Sequence, residues 1–455
     1  MGEAEAGQAA QAVQAAQAAQ AAQDAGQAPG KDRAPLPLPL PLPLPLPLRL
    51  VRVVLAVAGA GSAARAAGQL HLSAPAVTRA VQQAEATLGV PLFERGARGM
   101  ACTPAAEALL PRLRRVQTML GQAMLGPGMP ARALPPGRGR HAVAEAAMSR
   151  HLNETMLRAL VAVAETRSET AAARRLGLSQ PSVRAALRQL EHSARTRLFE
   201  HSRRGTRLTE AGEGLLRQAK LALAELRVGH EELAAFRGDA RAEVVVGALP
   251  MACDVLVSQA VARLLAALPG ARVTALDGTY DSLVHLLRHA DVDCFVGPLR
   301  GAASPGDFAE EMLFVDRLVA VVRPGHPARA LRRVSVPALA RWPWIGPLAD
   351  TPAEAAFERV FAAAGVRRPR VDLMTHSTAI VRSVLRSSDH VALLSPLQVR
   401  AELDDGVLCE LPLRLPGSER AIGITLRRDG QPSSACARLL AELRAVAAAA
   451  VSGAR

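Results

Sequence analysis

The chain has 455 residues, of which 49% are hydrophobic and 2% aromatic, and its formal net charge is +14. A chain of this length accommodates roughly two to four domains. The scarcity of aromatic side chains argues against binding of RNA or single strands by base stacking. The five scattered cysteines argue against a disulfide framework or a zinc site. We find no signal-peptide pattern and no uninterrupted apolar run that would span a bilayer, so we expect a cytoplasmic protein.

The positive charge is concentrated in the first half of the chain. Residues 49–140 contain 12 basic and 3 acidic residues, residues 150–241 contain 17 and 11, and residues 242–455 contain 24 and 22. A general bias toward arginine would raise the charge of the C-terminal half equally, which is not observed. Because neutralising phosphates requires excess cationic side chains, this distribution predicts that the first half binds duplex DNA.

The first 48 residues are of low complexity. An Ala/Gln tract is followed by leucine alternating with proline from Pro35 to Leu48. Proline at every second position excludes a helix or a central strand, so residues 1–48 are predicted to form a disordered, polyproline-like arm. A ligand for proline-binding modules and a start codon assigned too early are the alternatives.

One sequence pattern occurs twice, at an offset of 106 residues. The recurring residues of the first copy are Ser73, Pro75, Val77, Glu85, Leu92, Phe93, Glu94, Gly99 and Thr103. Their counterparts are Ser179, Pro181, Val183, Glu191, Leu198, Phe199, Glu200, Gly205 and Thr209. Each copy predicts helices followed by a hairpin, which is typical of a winged helix-turn-helix. The two domains are predicted over residues 50–125 and 151–208.

The second copy shows the clearer DNA-binding pattern. Ser168 and Ser179 are suited to cap two successive helices, and Gly177 is suited to the turn between them. The second of these helices has an apolar stripe toward the core, so its other face points outward, and a basic hairpin follows. The residues predicted to contact DNA are Ser179, Gln180, Ser182, Arg184 and Arg188 on the helix and Arg203, Arg204 and Arg207 on the hairpin.

The first copy presents a different outward face. Its candidate DNA contacts are Thr78, Arg79 and Gln82 on the helix and Arg95 and Arg98 on the hairpin. Pro111 lies early in the helix that follows, and a Pro/Gly-rich segment then predicts a flexible linker over residues 126–150. The first copy is therefore predicted either to bind DNA from a flexible tether or to be a degenerate copy kept for packing.

A long linker helix is predicted after the second copy, over residues 209–237. Apolar or small residues recur there at spacings of four and three, which is typical of a helix that pairs with a partner helix. These residues are Leu215, Ala219, Ala222, Leu226, Gly229, Leu233 and Phe236. Gly229 is expected to weaken the seam locally. Only the second copy is predicted to have a full dimerisation helix, so a dimer of chains would carry four DNA-binding units.

Residues 242–450 are predicted to form an α/β domain with a mostly parallel sheet, because β-rich runs alternate with amphipathic helices. Examples of these runs are Glu243–Gly247, Arg272–Leu276, Val292–Gly297, Leu318–Val322 and Val391–Ser395. The chain has no Gly-rich phosphate loop, no metal-ligand spacing and no nucleophile elbow, so neither an enzyme nor a cofactor is predicted. His285 and His289 are expected on a helix surface.

These motifs resemble the LysR-type transcriptional regulators. The similarity lies in Ala-Ala-Ala-Arg-Arg-Leu-Gly-Leu-Ser-Gln-Pro-Ser-Val at 171–183, in Leu190-Glu191 and in Leu208-Thr209-Glu210-Ala211-Gly212. The resemblance implies winged helix-turn-helix domains, a linker helix and a two-lobed domain similar to periplasmic binding proteins. It also implies a homodimer or homotetramer that binds double-stranded DNA. The C-terminal half looks most like the subgroup that controls sugar-binding-protein or aromatic-acid catabolism genes, which implies an organic acid or a sugar as effector.

The resemblance places the small-molecule effector between the two lobes. Residues at matching positions are Pro250, Met251, Ala252, Thr279, Tyr280, Pro298, Leu299, His376, Ser377 and Thr378. Structural alternatives are that Thr279 only caps a helix, that Tyr280 packs on a lobe surface and that His376 is solvated. The predicted function is ligand-responsive transcription regulation. A constitutive architectural DNA-binding protein and a solute-binding protein are the alternatives.

Overall fold

A computed structural model describes residues 45–96, 99–125, 152–202, 205–238 and 242–452. The predicted linker, residues 126–150, and the predicted arm up to residue 44 lie outside these ranges. The end of the predicted arm is part of the folded chain, because Leu46 is 1% exposed and a helix begins at Leu48. The boundary placed at residue 48 was therefore too late.

The first helical unit comprises, in its described part, four helices and a hairpin. They are α1 (Leu48–Ala60), α2 (Ala63–Leu70), α3 (Ala74–Leu88), β1 (Phe93–Gly96), β2 (Gly99–Cys102) and α4 (Pro104–Leu125). The Ser62 and Ser73 hydroxyls cap α2 and α3 by accepting hydrogen bonds from backbone N–H groups. Gly89 ends α3 in the left-handed conformation, at φ +71°.

The second helical unit repeats this order. Its described elements are α5 (Glu154–Thr166), α6 (Glu169–Leu176), α7 (Gln180–Ala194), β3 (Phe199–Ser202), β4 (Gly205–Leu208), α8 (Glu210–Glu232) and the short α9 (Ala234–Arg237). The Glu85 carboxylate accepts hydrogen bonds from two N–H groups at the start of β1, at 2.8 and 3.1 Å. Glu191 accepts the corresponding pair at β3, at 2.9 and 3.2 Å. Both copies therefore keep the same internal contacts.

Both units carry a long helix, since α4 has 22 residues and α8 has 23. The prediction that only the second copy has one was wrong, because Pro111 lies inside α4 without ending it. A proline inside a helix costs about 3 kcal/mol, whereas full burial of one large apolar side chain contributes about 1.5–3 kcal/mol. Helix α4 buries several such side chains, namely Leu109, Leu110, Leu113, Val116 and Leu120.

Helices α4 and α8 pack against each other, and the two units share one hydrophobic core. Leu215, Ala219, Ala222 and Leu226, the main residues of the predicted seam, are buried in this core. The seam is thus covered within the same chain and is not left for a second chain, and the first unit is not flexibly tethered. Gly229 does not weaken the pairing. A Cβ there would lie 2.8 Å from a Leu109 methyl carbon, so glycine permits the close approach of the helices.

Within residues 242–452, the strands form two five-stranded sheets, ordered β6-β5-β7-β14-β8 and β11-β10-β12-β9-β13. The strands are β5 (Glu243–Ala248), β6 (Arg272–Asp277), β7 (Cys294–Pro298), β8 (Phe308–Arg317), β9 (Val319–Val322), β10 (Trp344–Gly346), β11 (Val371–Met374), β12 (Val391–Leu394), β13 (Cys409–Glu410) and β14 (Glu419–Arg427). Strand β5 runs parallel to β6 and β7, and β10 runs parallel to β11 and β12. Strands β9 and β14 run antiparallel to their neighbours. Each sheet is therefore mixed, whereas a mostly parallel sheet was predicted.

Helices cover both sheets, and each sheet with its helices forms one lobe of this half of the chain. They are α10 (Pro250–Ala267, with a π-helical turn), α11 (Tyr280–Arg288), α12 (Val336–Leu339), α13 (Pro352–Ala363), α14 (Thr378–Ser387), α15 (Arg400–Asp404) and α16 (Ser434–Ser452). The chain passes from the first sheet to the second between β8 and β9 and returns between β13 and β14. These two crossings join the lobes, which face each other across a cleft.

Among the described residues, the run Pro250–Ala267 is long and apolar enough to cross a membrane by length and composition alone. The run is interrupted by Asp254 and Arg263. Its Leu256, Ala260 and Leu264 are buried in the core of the first lobe, together with residues of α16. The buried share of the run is 33%, and these side chains pack its inner face against the lobe.

Candidate functional site

Helix α7 exposes the residues that were predicted to contact DNA. Ser182, Arg184 and Arg188 are exposed, and neither arginine forms an ion pair within the described part of the chain. Ser179 caps the helix through the N–H of Ser182, at 3.2 Å. Gln180 is less available than expected, because its amide donates a hydrogen bond of 2.6 Å to the Glu169 carboxylate.

The hairpin of each unit packs against the end of its first helix. A Cβ on Gly205 would lie 2.8 Å from the Arg167 carbonyl oxygen, and φ is +111° there, so the position requires glycine. Arg207 lies exposed on β4. Arg95 lies within β1. Three predicted hairpin contacts lie outside the described residues, namely Arg98, Arg203 and Arg204.

Helix α3 presents the corresponding face of the first unit. Arg79 and Gln82 are exposed, and Thr78 is half-buried. Thr78 occupies the position of Arg184 in the repeat, and Gln82 that of Arg188. The two helices therefore share a fold but offer different side chains to a ligand.

A cavity of about 170 Å³ lies between the two lobes. Most of the predicted effector residues line it, namely Pro250, Met251, Thr279, Tyr280, Pro298, His376 and Thr378. Residues after β5, β6 and β7 form one wall, and residues near β10, β11 and β12 form the other. The structure thus brings together residues that are far apart in the sequence.

Three predicted effector residues do not line the cavity. Ala252 is fully buried in the core of the first lobe, because the helix turns it inward. The backbone N–H of Leu299 donates to the Ala421 carbonyl, which holds this residue against β14. The Ser377 hydroxyl accepts the N–H of Ile380 and so serves as a helix cap. These assignments rested on chain position, which does not fix the direction of a side chain.

Tyr280 contributes to the cavity wall, although not through a hydroxyl available to a ligand. That hydroxyl is shielded from solvent beside Ser304, and burial raises the pKa of Tyr280. The Arg300 guanidinium lies over the ring, 4.3 Å from its centroid. Thr279 caps α11 through the N–H of Ser282. Tyr280 therefore contributes its aromatic ring to the wall, with the Arg300 guanidinium stacked over that ring.

Sequence reasoning missed two cations of this cavity, Arg300 and Arg420. Arg420 donates two hydrogen bonds, of 3.0 and 2.9 Å, to one oxygen of Asp316, and the Ser395 hydroxyl donates to the other oxygen at 2.8 Å. Asp316 and Arg420 are 5% and 9% exposed. The sequence did contain a signal for Arg420, because this arginine directly precedes the apolar run that begins at Ala421.

Three helices begin at the wall of the cavity. Thr279, Thr351 and Thr378 lie at the first turns of α11, α13 and α14, and all three line the cavity. Helix N-termini carry partial positive charge. Together with Arg300 they give the cavity an electropositive character that suits an anionic ligand.

Of the two histidines predicted on a helix surface, His285 lies there, whereas His289, directly after α11, does not. His285 is exposed, but His289 is 6% exposed, and its Nδ1 lies 2.9 Å from the His285 carbonyl oxygen. Burial and the neighbouring His285 lower the pKa of His289 to about 3, so this imidazole is neutral near pH 7. In the part of the chain that the structure describes, no group of three or more His, Cys, Asp or Glu side chains is placed to hold a metal.

Family comparisons match both halves of the chain. The description "Bacterial regulatory helix-turn-helix protein, lysR family" matches twice, over residues 48–107 and 155–213. "LysR substrate binding domain" matches residues 237–448. The two helix-turn-helix matches fall on the two helical units, and the third covers both lobes.

Similar proteins are named as transcriptional regulators and not as enzymes. The chain is 35% identical over 382 residues to the HTH-type transcriptional regulator GalR of Pseudomonas putida, covering 84% of this chain and 92% of GalR. It is 31% identical over 291 residues to the HTH-type transcriptional regulator PcaQ of Agrobacterium fabrum, covering 64% and 94%. The GalR alignment is longer than the chain from residue 151 onward, so it extends into the first helical unit.

Solved structures share the fold. Full-length OxyR from Pseudomonas aeruginosa is 22% identical, with a TM-score of 0.50, over 64% of this chain and 97% of OxyR. ArgP from Mycobacterium tuberculosis is 20% identical, with a TM-score of 0.50, over 65% and 97%. Each covers about two thirds of this chain.

Proposed function

Since this chain belongs to the LysR-type transcriptional regulators, we propose that it is a cytoplasmic regulator with two DNA-binding units per chain. Residues 46–125 and 151–208 form winged helix-turn-helix domains, α8 and α9 form the linker, and residues 242–450 form the effector-binding domain. The observation that carries this proposal is the recurrence, in both units, of the same capped helix with its outward polar face and the same Glu85 or Glu191 contact.

The DNA contacts of the second unit centre on α7. Arg184 and Arg188 lie one turn apart on the exposed face, near the capped N-terminus that a helix of this type inserts into the major groove. A guanidinium forms two hydrogen bonds with the edge of guanine. We therefore assign base contacts to α7 and α3, and phosphate contacts to the hairpins.

Arg184→Ala is expected to remove preference for one base pair, by about 1–3 kcal/mol, while binding to other sequences is retained. Binding of purified protein to duplexes from beside its own gene, each with one substituted base pair, measures this change. The matched control is Arg174→Ala, which removes an exposed arginine of α6 that is not on this face. A uniform loss on all sequences with a shallower salt dependence would assign Arg184 to phosphate instead.

The effector cavity is best suited to a small organic acid. Arg300 supplies a cation, three helix N-termini supply partial positive charge, and Pro250, Met251 and Phe357 supply an apolar wall. A neutral sugar would gain less from this electropositive wall. We therefore propose a carboxylate whose apolar body contacts Pro250, Met251 and Phe357 and whose charge faces Arg300.

Arg300→Gln is expected to weaken binding of an aromatic carboxylate on the order of tenfold, because a hydrogen bond to a charged group contributes about 1.5–3 kcal/mol. Calorimetry with benzoate and with galactose tests both ligand classes on the full chain. Arg263→Gln, at an exposed position of α10 away from the cavity, is the control. Binding of galactose without binding of benzoate would contradict the carboxylate assignment.

Strand β7 connects the cavity to the linker helix. Pro298 at its carboxyl end lines the cavity, and Asp293, directly before its other end, accepts a hydrogen bond of 3.2 Å from Arg227 of α8. Lys220 of α8 also binds Asp291 and Glu165, at 2.8 and 3.0 Å. Movement of the lobes on effector binding therefore acts directly on the helix that positions the DNA-binding units.

A further inference from the structure

The two helical units of one chain contact each other through their long helices, α4 and α8. Arg112, in the first half of α4, binds Glu225 and Glu232, in the second half of α8, at 3.0 and 2.6 Å. Leu109 lies beside Gly229. The helices are therefore antiparallel, and the start of each lies near the end of the other.

The ends of these helices reach across to the opposite unit. Helix α4 of the first unit contacts α7 of the second unit. In return, Arg237, which follows α8, donates a hydrogen bond of 2.8 Å to the Leu88 carbonyl at the end of α3. Helix α4 thus contacts the recognition helix of the second unit, and α9, directly after α8, contacts the end of the recognition helix of the first unit. Helices α4 and α8 are equivalent in the repeat and pack antiparallel, and with these cross-unit contacts they indicate an approximate two-fold relation within one chain.

Two recognition helices related by a two-fold axis contact half-sites that run in opposite directions on DNA. When two identical chains provide the helices, the half-sites are equal. Here the helices differ. Arg184 and Arg188 on α7 favour guanine, whereas Thr78 and Gln82 at the same positions of α3 favour contact with thymine and adenine.

We propose that a single chain binds an inverted repeat with two unequal half-sites, one recognised by α7 with G·C pairs opposite Arg184 and Arg188, and the other recognised by α3 with A·T pairs opposite Thr78 and Gln82. This inference rests on the proposed DNA-binding function. Because the seam of α8 is covered by α4, two half-sites belong to each chain, however many chains assemble. Because both units belong to one chain, binding of the second unit to DNA becomes an intramolecular step once the first unit is bound.

The test selects duplexes from a pool with a randomised central segment, using the full chain. We expect enrichment of an inverted pair of unequal half-sites at fixed spacing. Native mass spectrometry of the selected complex is expected to give one chain for every two half-sites. Thr78→Ala with Gln82→Ala should abolish the preference, about tenfold or more, at the half-site recognised by α3 only. Arg184→Ala with Arg188→Ala should do so at the other half-site only.

The outcomes separate this inference from the function on which it rests. If no duplex is enriched, the proposed DNA-binding function itself fails. If the selected duplex contains equal half-sites or a single half-site, or the Thr78 and Gln82 variant retains both preferences, DNA binding stands and the single-chain inverted repeat is overturned. Since the four substituted side chains are at most half-buried, these variants are expected to fold.

Discussion

Arg112→Ala is expected to lower the free energy of unfolding of the helical half by about 3 kcal/mol. Arg112 is 5% exposed, and it binds Glu225 and Glu232 as well as the carbonyl oxygens of Gln431 and Pro432 in the first lobe. Although burial opposes it, hydrogen bonding to the two carboxylates raises the pKa of Arg112. Removing the guanidinium leaves the Glu225 carboxylate, 7% exposed, with fewer partners in a dry site.

The expected loss lies at the lower end of the range of about 3–5 kcal/mol for a broken buried pair, because Arg115 still binds Glu225 at 2.9 Å. Urea unfolding followed by circular dichroism measures the change, and Arg114→Ala, at an exposed neighbour, is the control with little expected effect. A loss below about 1 kcal/mol, as at exposed ion pairs, would mean that α4 and α8 are not paired in solution.

Arg420→Met is expected to destabilise the two-lobed half by about 3–5 kcal/mol. Arg420 and Asp316 form a buried pair where the chain passes between the lobes, and Ser395 of the second lobe binds the same carboxylate. Methionine retains much of the side-chain volume but leaves the Asp316 charge with one hydroxyl for a partner. The same change should loosen the relative position of the lobes and weaken effector binding, because Arg420 also lines the cavity.

The matched control is Arg444→Met. Arg444 also donates two hydrogen bonds to one carboxylate, that of Glu311 on β8, but these side chains are 49% and 38% exposed. Exposed pairs contribute about 0–1 kcal/mol, so thermal unfolding of the two variants should differ clearly. Arg420→Met combined with Asp316→Leu should recover much of the loss, since no buried charge remains. Equal effects of Arg420→Met and Arg444→Met would show that the Arg420 site is hydrated.

The sequence by itself identified the LysR family and the two copies of the helix-turn-helix. It also identified five of the ten strands described in the C-terminal half, and the outward faces that include Arg184 and Arg79. These features depend on local periodicity and on caps such as Ser73 and Ser179, and a few neighbouring residues determine both. For the same reason, seven of the ten residues predicted for the cavity by their position after strands do line it.

Only the tertiary structure decided which elements pair. A seam on α8 shows that a partner helix is needed, but periodicity does not say whether that helix comes from the same chain, and Pro111 suggested wrongly that α4 was too short. Packing against α8 outweighs the local cost of that proline. The Arg112 and Arg420 networks join residues more than 100 positions apart, so no local pattern specifies them. Burial and long-range pairing are properties of the folded chain, and they fix both the relation of the two DNA-binding units and the cations of the cavity.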